Sequence, residues 1–257
     1  MVKPKKRLGQ HFLTDQTIAR RIVDALDPKT GETVFEVGPG TGILTGYLLE
    51  KEIRLLPVEI DPESSIHLKQ KWPELNDQLI EADFLKLDID QYTTDKFHVI
   101  GNFPYNISSQ IFFRVLEFRS RIPSVVCMIQ KEVAQRIASP PGSKAYGILS
   151  VLLQAYYEIQ YLFSVKPGSF FPPPKVTSGV IRLTKNSTTI LPCDEQLFVK
   201  VVKCTFNQRR KMIRNSLKSI LLHLDEDFEL LSKRPEQLGV PEFIKLTNWV
   251  ESQLTKS

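Results

Sequence analysis

Little in this sequence could staple a fold covalently or through a metal. Its 257 residues include three cysteines, Cys127, Cys193 and Cys204, which lie far apart and form no C-x-x-C pair. An odd, sparse set of this kind argues against a disulfide framework and against a zinc site. The four histidines, His11, His67, His98 and His223, are equally scattered, so no metal is expected. No apolar run approaches the length that crosses a bilayer. The basic start, Met1 to Arg7, leads into a Gly-Gln-His segment where a signal peptide needs apolar residues. A cytoplasmic monomer with no membrane partner is expected. No G-x-x-x-x-G-K-S/T pattern occurs, which removes the phosphate loop of many nucleotide-binding folds.

Acidic residues are missing from two stretches. Residues 1–13 carry Lys3, Lys5, Lys6 and Arg7 unopposed, and residues 199–218 carry Lys200, Lys203, Arg209, Arg210, Lys211, Arg214 and Lys218 unopposed. The net charge of +5 is modest, so the clustering matters more than the total. Two basic blocks fit a polyanionic partner such as nucleic acid; they fit a solvated helix face with a basic tip equally well.

What is present is an alternation of strands and helices. Asp15 can cap a helix whose apolar positions Ile18, Ile22, Val23 and Leu26 recur at helical spacing. Strands are expected at 33–37, 54–58, 78–81, 97–100 and 124–130, separated by helices near 43–51, 63–71 and 108–118. A helix at 132–138 and another near 146–157 follow, then strands near 158–165 and 176–184. Pro57 would sit better near a strand edge or end than inside one. This alternation implies right-handed crossovers and a mostly parallel sheet covered on both faces. The last two strands have only a proline-rich link between them and are expected to pair antiparallel at one edge. From about Lys185 the chain turns polar and then helical. The expected fold is α/β over residues 1–188, followed by a small all-helical C-terminal domain over 189–257.

The strand ends carry the chemistry. Glu36-Val37-Gly38-Pro39-Gly40-Thr41-Gly42 lies between the first strand and its helix, where glycines let the backbone approach a ligand. A dinucleotide fingerprint would have a third glycine at position 43, which is Ile43. Glu59 ends the second strand, 21 residues after Gly38, and can accept hydrogen bonds from both ribose hydroxyls. Asp83 follows the third and can accept from an adenine amino group, with Phe84 packed near the ring. A surface acid or a core aromatic would explain any one of these; three strand ends in succession favour a nucleoside pocket. Without a phosphate-binding lysine, that nucleoside fits S-adenosylmethionine better than ATP.

After the fourth strand the chain reads Asn102-Phe103-Pro104-Tyr105. Methylating an adenine amino group requires a lone pair that is delocalised into the ring. Acceptors on both N–H groups favour a more tetrahedral nitrogen and aim it at a sulfonium methyl. The Asn102 amide oxygen and a carbonyl of the Phe103–Pro104 turn can supply those acceptors, and Tyr105 can stack on an extruded base. Catalysis would then be positioning and electrostatics, with no strong base.

Seven motifs in one order carry a resemblance: K-K-R-L-G-Q-H-F-L (5–13), E-V-G-P-G-T-G (36–42), E-I-D (59–61), E-A-D (81–83), N-F-P-Y-N-I-S (102–108), F-F-P-P-P-K-V-T-S (170–178) and F-N-Q-R-R-K-M-I-R-N-S-L (206–217). With them the chain resembles the S-adenosylmethionine-dependent ribosomal RNA adenine dimethyltransferases, and within these the bacterial small-subunit group. The resemblance implies a Rossmann-like class I methyltransferase domain and cofactor contacts at His11, Leu13, Gly38, Glu59, Asp83 and Asn102. It implies target-base handling by Asn102, Pro104, Tyr105 and Phe170, with Phe170 held above the base by the proline run and Phe171 as the core residue. His11 stands where the family commonly has asparagine, and Phe103 where leucine or isoleucine is usual. The implied substrate is a pair of adjacent adenosines near the 3′ end of small-subunit ribosomal RNA within a pre-ribosomal particle, each receiving two methyl groups. RNA would be gripped by Lys5, Lys6, Arg7, Arg209, Arg210, Lys211 and Arg214, the last four at helical spacing while Phe206, Met212, Ile213 and Leu217 face inward. Two alternatives stand beside this one: a large-subunit adenine methyltransferase that confers antibiotic resistance, and a small-subunit assembly checkpoint factor in which methylation is secondary.

Overall fold

The computed structural model of the chain describes residues 2–221 and 228–255; His223 lies outside them. The chain packs as two compact units, Met1–Ala134 with Glu158–Lys185, and Gln135–Tyr157 with Asn186–Ser257. In chain order the elements are β1 (Phe12–Leu13), α1 (Gln16–Leu26), β2 (Thr33–Val37), α2 (Ile43–Leu49), β3 (Arg54–Glu59), α3 (Pro62–Lys71), β4 (Ile80–Glu81), β5 (Phe97–Asn102), α4 (Ser108–Glu117), β6 (Ser124–Gln130) and α5 (Lys131–Ala138). Then come α6 (Ile148–Gln154), β7 (Tyr157–Val165), β8 (Phe170–Phe171), β9 (Ser178–Lys185), α7 (Glu195–Asn207), α8 (Ile213–Leu217) and α9 (Val240–Leu254).

The first unit is built on one large sheet with strand order β4-β3-β2-β5-β6-β9-β7. The pairs β2–β3, β2–β5, β3–β4 and β5–β6 are parallel, and β9 runs antiparallel to β6. The two late strands are neighbours at one side, with β9 inside and β7 at the edge. Pro57 lies within β3 opposite Glu36, but β4 pairs only from Val58 onward. Its missing N–H therefore meets no registered partner on that side. Because β3 and β5 flank β2 on opposite sides, the chain leaves β2 in one direction and returns in the other. A crevice opens at the carboxyl ends of such strands.

Helix α1 starts where Asp15 accepts the Ile18 N–H at 3.1 Å, as its sequence position predicts. Its inner face, Ala19, Ile22, Val23 and Leu26, is buried with Val34, Ile100, Val126 and Met128 in one core cluster. Each fully buried branched side chain contributes roughly 1.5–3 kcal/mol of transfer free energy. That core holds the strand ends rigid. A second, two-stranded sheet joins β1 to β8, with Phe12 opposite Phe171 and Leu13 opposite Phe170. Neither strand is legible from periodicity, since each has two residues.

The second unit is helical. Tyr146, fully buried, sets its ring edge against Phe206 at 6.1 Å, and Phe206 stacks on Phe243 at 5.9 Å. These contacts draw residues 135–157 into the helical unit, whereas the sequence places them before the domain boundary. Among the described residues no helix is long and apolar enough to cross a membrane.

Candidate active site

The ends of β2, β3, β4 and β5 frame one pocket in the first unit, closed on another side by residues 7–12. Gly38, Gly40, Glu59, Asp83, Asn102 and Tyr105 all reach it. Gly40 has a φ of +60°, and a Cβ there would stand 2.9 Å from the Phe12 ring. Only glycine fits a backbone of that hand and at that distance. Its N–H donates to Glu59 Oε2 at 2.9 Å, and the Asp61 N–H donates to Glu59 Oε1 at 2.8 Å. Both carboxylate oxygens are thus fixed in place, and each keeps lone pairs for a ligand's hydroxyls. Burial raises the Glu59 carboxyl above the usual range despite these backbone donors.

Asp83 accepts the Leu85 N–H on Oδ1 at 3.0 Å, and no protein donor among the described residues meets Oδ2. Phe84 is buried, whereas Ile60 stands 52% exposed in the pocket wall. Phe84 nevertheless lines the pocket, as expected, and Ile60 adds further apolar surface to it. Behind the glycine loop, Thr45 Oγ1 donates to buried Glu36 Oε2 at 2.7 Å and ties β2 to α2. Burial pushes the Glu36 carboxyl up to about 8, against the Thr45 hydrogen bond and with the Glu59 charge adding to it.

At the other end, Asn102 Nδ2 donates to the His11 carbonyl at 2.8 Å. That bond fixes the amide so that Oδ1 is the free acceptor. In the loop that follows, the Pro104 carbonyl accepts the Ile107 N–H at 3.2 Å to close a turn. The Phe103 carbonyl meets no such donor among the described residues, and so it is the better second acceptor. The Tyr105 ring stacks at 5.8 Å on the His11 ring, and its hydroxyl is 2.6 Å from Ser178 Oγ. Burial raises the Tyr105 phenol further above its ordinary value, and the Ser178 contact opposes this.

The family pattern described as ribosomal RNA adenine dimethylase matches residues 1–236. The chain belongs to this family. It is 55% identical to the ribosomal RNA small subunit methyltransferase A of Bacteroides thetaiotaomicron, across 99% of this chain and 96% of that protein. It is 54% identical to the protein of the same name from Flavobacterium johnsoniae, across 100% and 99%. Among solved structures, a dimethyladenosine transferase from Plasmodium falciparum superposes with a TM-score of 0.80 at 24% identity, covering 95% of this chain and 98% of that one. The 23S rRNA methyltransferase ErmE gives 0.68 at 25% identity, covering 93% and 99%. The mostly parallel sheet is thus the class I methyltransferase fold.

The remaining expected site residues lie at different depths. Phe170 is 4% exposed and belongs to the core cluster with Leu13, while Phe171 is 57% exposed. The antiparallel pairing of β1 with β8 turns Phe170 inward, whereas the sequence places Phe171 in the core. Leu13 is likewise in the core, behind the pocket wall. His11 lines the pocket, with Nδ1 bonded to the Pro172 carbonyl at 2.8 Å.

The basic residues divide. Lys5, expected to grip RNA, is ion-paired with Asp61 at 2.5 Å and Glu63 at 3.0 Å. Lys6 and Arg7 are exposed on a short 3-10 turn. In the second unit α7 ends at Asn207 and α8 begins at Ile213, so residues 209–211 form a turn where helical spacing was expected. Arg209 is half-buried there, with Nη2 donating to the Ser143 carbonyl at 3.3 Å and Nε 3.8 Å from Glu236. Arg210, Lys211 and Arg214 are exposed. Phe206, Ile213 and Leu217 face inward as expected, but Met212 is 48% exposed because it caps α8 from the turn. Sequence reasoning missed Gln10, Ile60, Asp61 and Ser178 as site residues, although all four lie inside or beside quoted motifs.

Proposed function

We propose that this chain transfers methyl groups from S-adenosylmethionine to the N6 amino groups of two adjacent adenosines near the 3′ end of small-subunit ribosomal RNA. Identity above half along nearly the whole length of proteins named ribosomal RNA small subunit methyltransferase A supports small-subunit RNA as the substrate. The more distant likeness to a large-subunit enzyme, at 25% identity, favours the large-subunit alternative less.

The residues fit a methyl donor of this kind. Glu59 presents two fixed oxygens for ribose hydroxyls, Asp83 Oδ2 a free acceptor for an adenine amino group, and Ile60 an apolar face. Among the described residues Arg7 lines the pocket and no lysine does. When bound, S-adenosylmethionine supplies an electrophilic methyl on a sulfonium.

Asn102 carries the reading. Its amide is turned by the His11 carbonyl so that Oδ1 accepts one N–H of the target amino group, and the Phe103 carbonyl accepts the other. Both acceptors pull the nitrogen toward a tetrahedral shape and keep its lone pair aimed along one line. Tyr105, braced by His11 and Ser178, gives the extruded base a stacking face. Exposed Lys6 and Arg7 in one unit, and Arg210, Lys211 and Arg214 in the other, contact the RNA backbone. The test is Asn102→Ala, which abolishes methyl transfer while RNA binding persists. Normal methylation by that variant overturns the catalytic assignment.

A further inference from the structure

Asp61 has no part in the chemistry just described, yet it joins both ends of the site. Its carboxylate is fully buried and receives the Lys5 ammonium on Oδ1 at 2.5 Å and the Gln10 amide on Oδ2 at 3.1 Å. Its own N–H holds Glu59 Oε1. The Lys5 N–H donates to Gln10 Oε1 at 2.8 Å, which closes this part of the segment on itself. Six residues after Lys5, the same segment presents the His11 carbonyl to Asn102 and the His11 ring to Tyr105.

Between these ends the segment lies directly against the Asn102–Tyr105 loop. Gly9 has a φ of +64°, and a Cβ there would stand 2.8 Å from Asn106 Oδ1. Residues 5–12 therefore form a strap, tied at one end beside the acid assigned to the ribose and at the other to the amide assigned to the target base. A buried carboxylate that loses its ammonium partner is left uncompensated, so the strap is held down by electrostatics as well as by packing. The hydrogen bonds from Lys5 and Gln10 and the Glu63 N–H outweigh burial and keep the Asp61 carboxyl below its ordinary range.

We infer that Asp61 is a positioning residue: through Lys5 and Gln10 it latches the N-terminal strap across the pocket, and the latched strap sets the Asn102 amide for methyl transfer. The inference rests on the proposed methyl-transfer function. When the strap lifts, the His11 carbonyl leaves Asn102 Nδ2, and nothing else among the described residues fixes which end of the amide faces the target. Closure over the methyl donor and orientation of the acceptor amide are then one event.

Lys5→Met breaks the latch and leaves the buried Asp61 carboxylate without its ammonium, so Gln10→Ala, which keeps that ion pair, and a thermal melt of each variant stand beside it. Hydrogen exchange on the protein alone, and steady-state methylation of small-subunit particles, are measured for the wild type, Lys5→Met, Lys5→Arg and Gln10→Ala. In Lys5→Met the amides of residues 5–12 exchange about tenfold faster, and kcat falls on the order of tenfold while the KM for RNA holds. Gln10→Ala moves both readouts in the same direction, and Lys5→Arg restores them. Unchanged exchange in Lys5→Met overturns the latch, and faster exchange with wild-type kcat overturns its link to Asn102. A wild-type protein that transfers no methyl group overturns the functional reading, and with it the catalytic half of this inference.

Discussion

The Asn102 side chain donates to the main-chain carbonyl of His11 across 91 residues of sequence, at 2.8 Å. This bond decides which amide atom faces the pocket. Asn102→Asp replaces the donor with an oxygen of the same shape, so it repels the His11 carbonyl and removes the fixed orientation. Both Asn102→Asp and Asn102→Ala are expected to lower kcat by about a hundredfold or more, measured as single-turnover methyl transfer. Binding of small-subunit RNA, followed by filter retention, stays within about twofold of wild type, as expected for a residue that orients without anchoring.

Tyr105 separates ring from hydroxyl. Tyr105→Phe keeps the stacking face and loses only the contact to Ser178, so it retains most activity. Tyr105→Ala removes the face and is expected to cost about 1–3 kcal/mol of transition-state stabilisation, the worth of one base–aromatic stack. The ratio of kcat/KM values for the two variants measures the ring's share. Equal losses would assign the role to the hydroxyl instead.

The exposed and the engaged bases should behave differently in salt. Each of Arg210→Ala, Lys211→Ala and Arg214→Ala is expected to reduce the slope of log affinity against log salt by about one. Arg209→Ala leaves that slope unchanged and lowers stability instead, by about 0.5–1 kcal/mol, because its guanidinium serves Ser143 and Glu236. Affinity titrations at several salt concentrations and thermal melts of the same variants decide the point.

Glu36 gives a pH signature. Its carboxyl stands at about 8 in the folded protein against an ordinary value of 4.5. Below the ordinary value both states hold the proton. As pH rises from there through about 8 the unfolded chain releases it first, so this group's contribution to stability is progressively lost, at up to about 1.4 kcal/mol per pH unit. Glu36→Gln keeps the acceptor for Thr45 and removes the titration. Its melting temperature is expected to gain on the wild type between acidic and alkaline buffer. Parallel pH profiles would show that Glu36 is ionised in the folded state.

Much of the pocket was legible because strand-end chemistry is local. Gly38, Glu59 and Asn102 end or follow runs of buried strand residues, Asp83 follows the short β4, and parallel topology alone brings such positions to one crevice. The strap was not legible. Lys5 looks like any other base in a basic tip, and its partner Asp61 is 56 residues away, so its charge reads as solvent-facing until the fold shows the buried carboxylate. The burial of Phe170 and the exposure of Phe171 were not legible for a similar reason. Which of two adjacent aromatics turns inward depends on the register of a two-residue strand with Phe12 and Leu13, and no periodicity exists over so short a span. The inclusion of residues 135–157 in the helical unit follows from Tyr146 meeting Phe206, a contact between distant segments that no composition shift marks.

The central claim is tested most directly by the substrate itself. Purified small and large ribosomal subunits that lack native adenine methylation are incubated with the protein and S-adenosylmethionine carrying a labelled methyl group, and the RNA is digested and mapped by nucleoside. The account predicts label as N6,N6-dimethyladenosine at two adjacent positions near the 3′ end of small-subunit RNA. Label on large-subunit RNA, or none on either subunit, would contradict it.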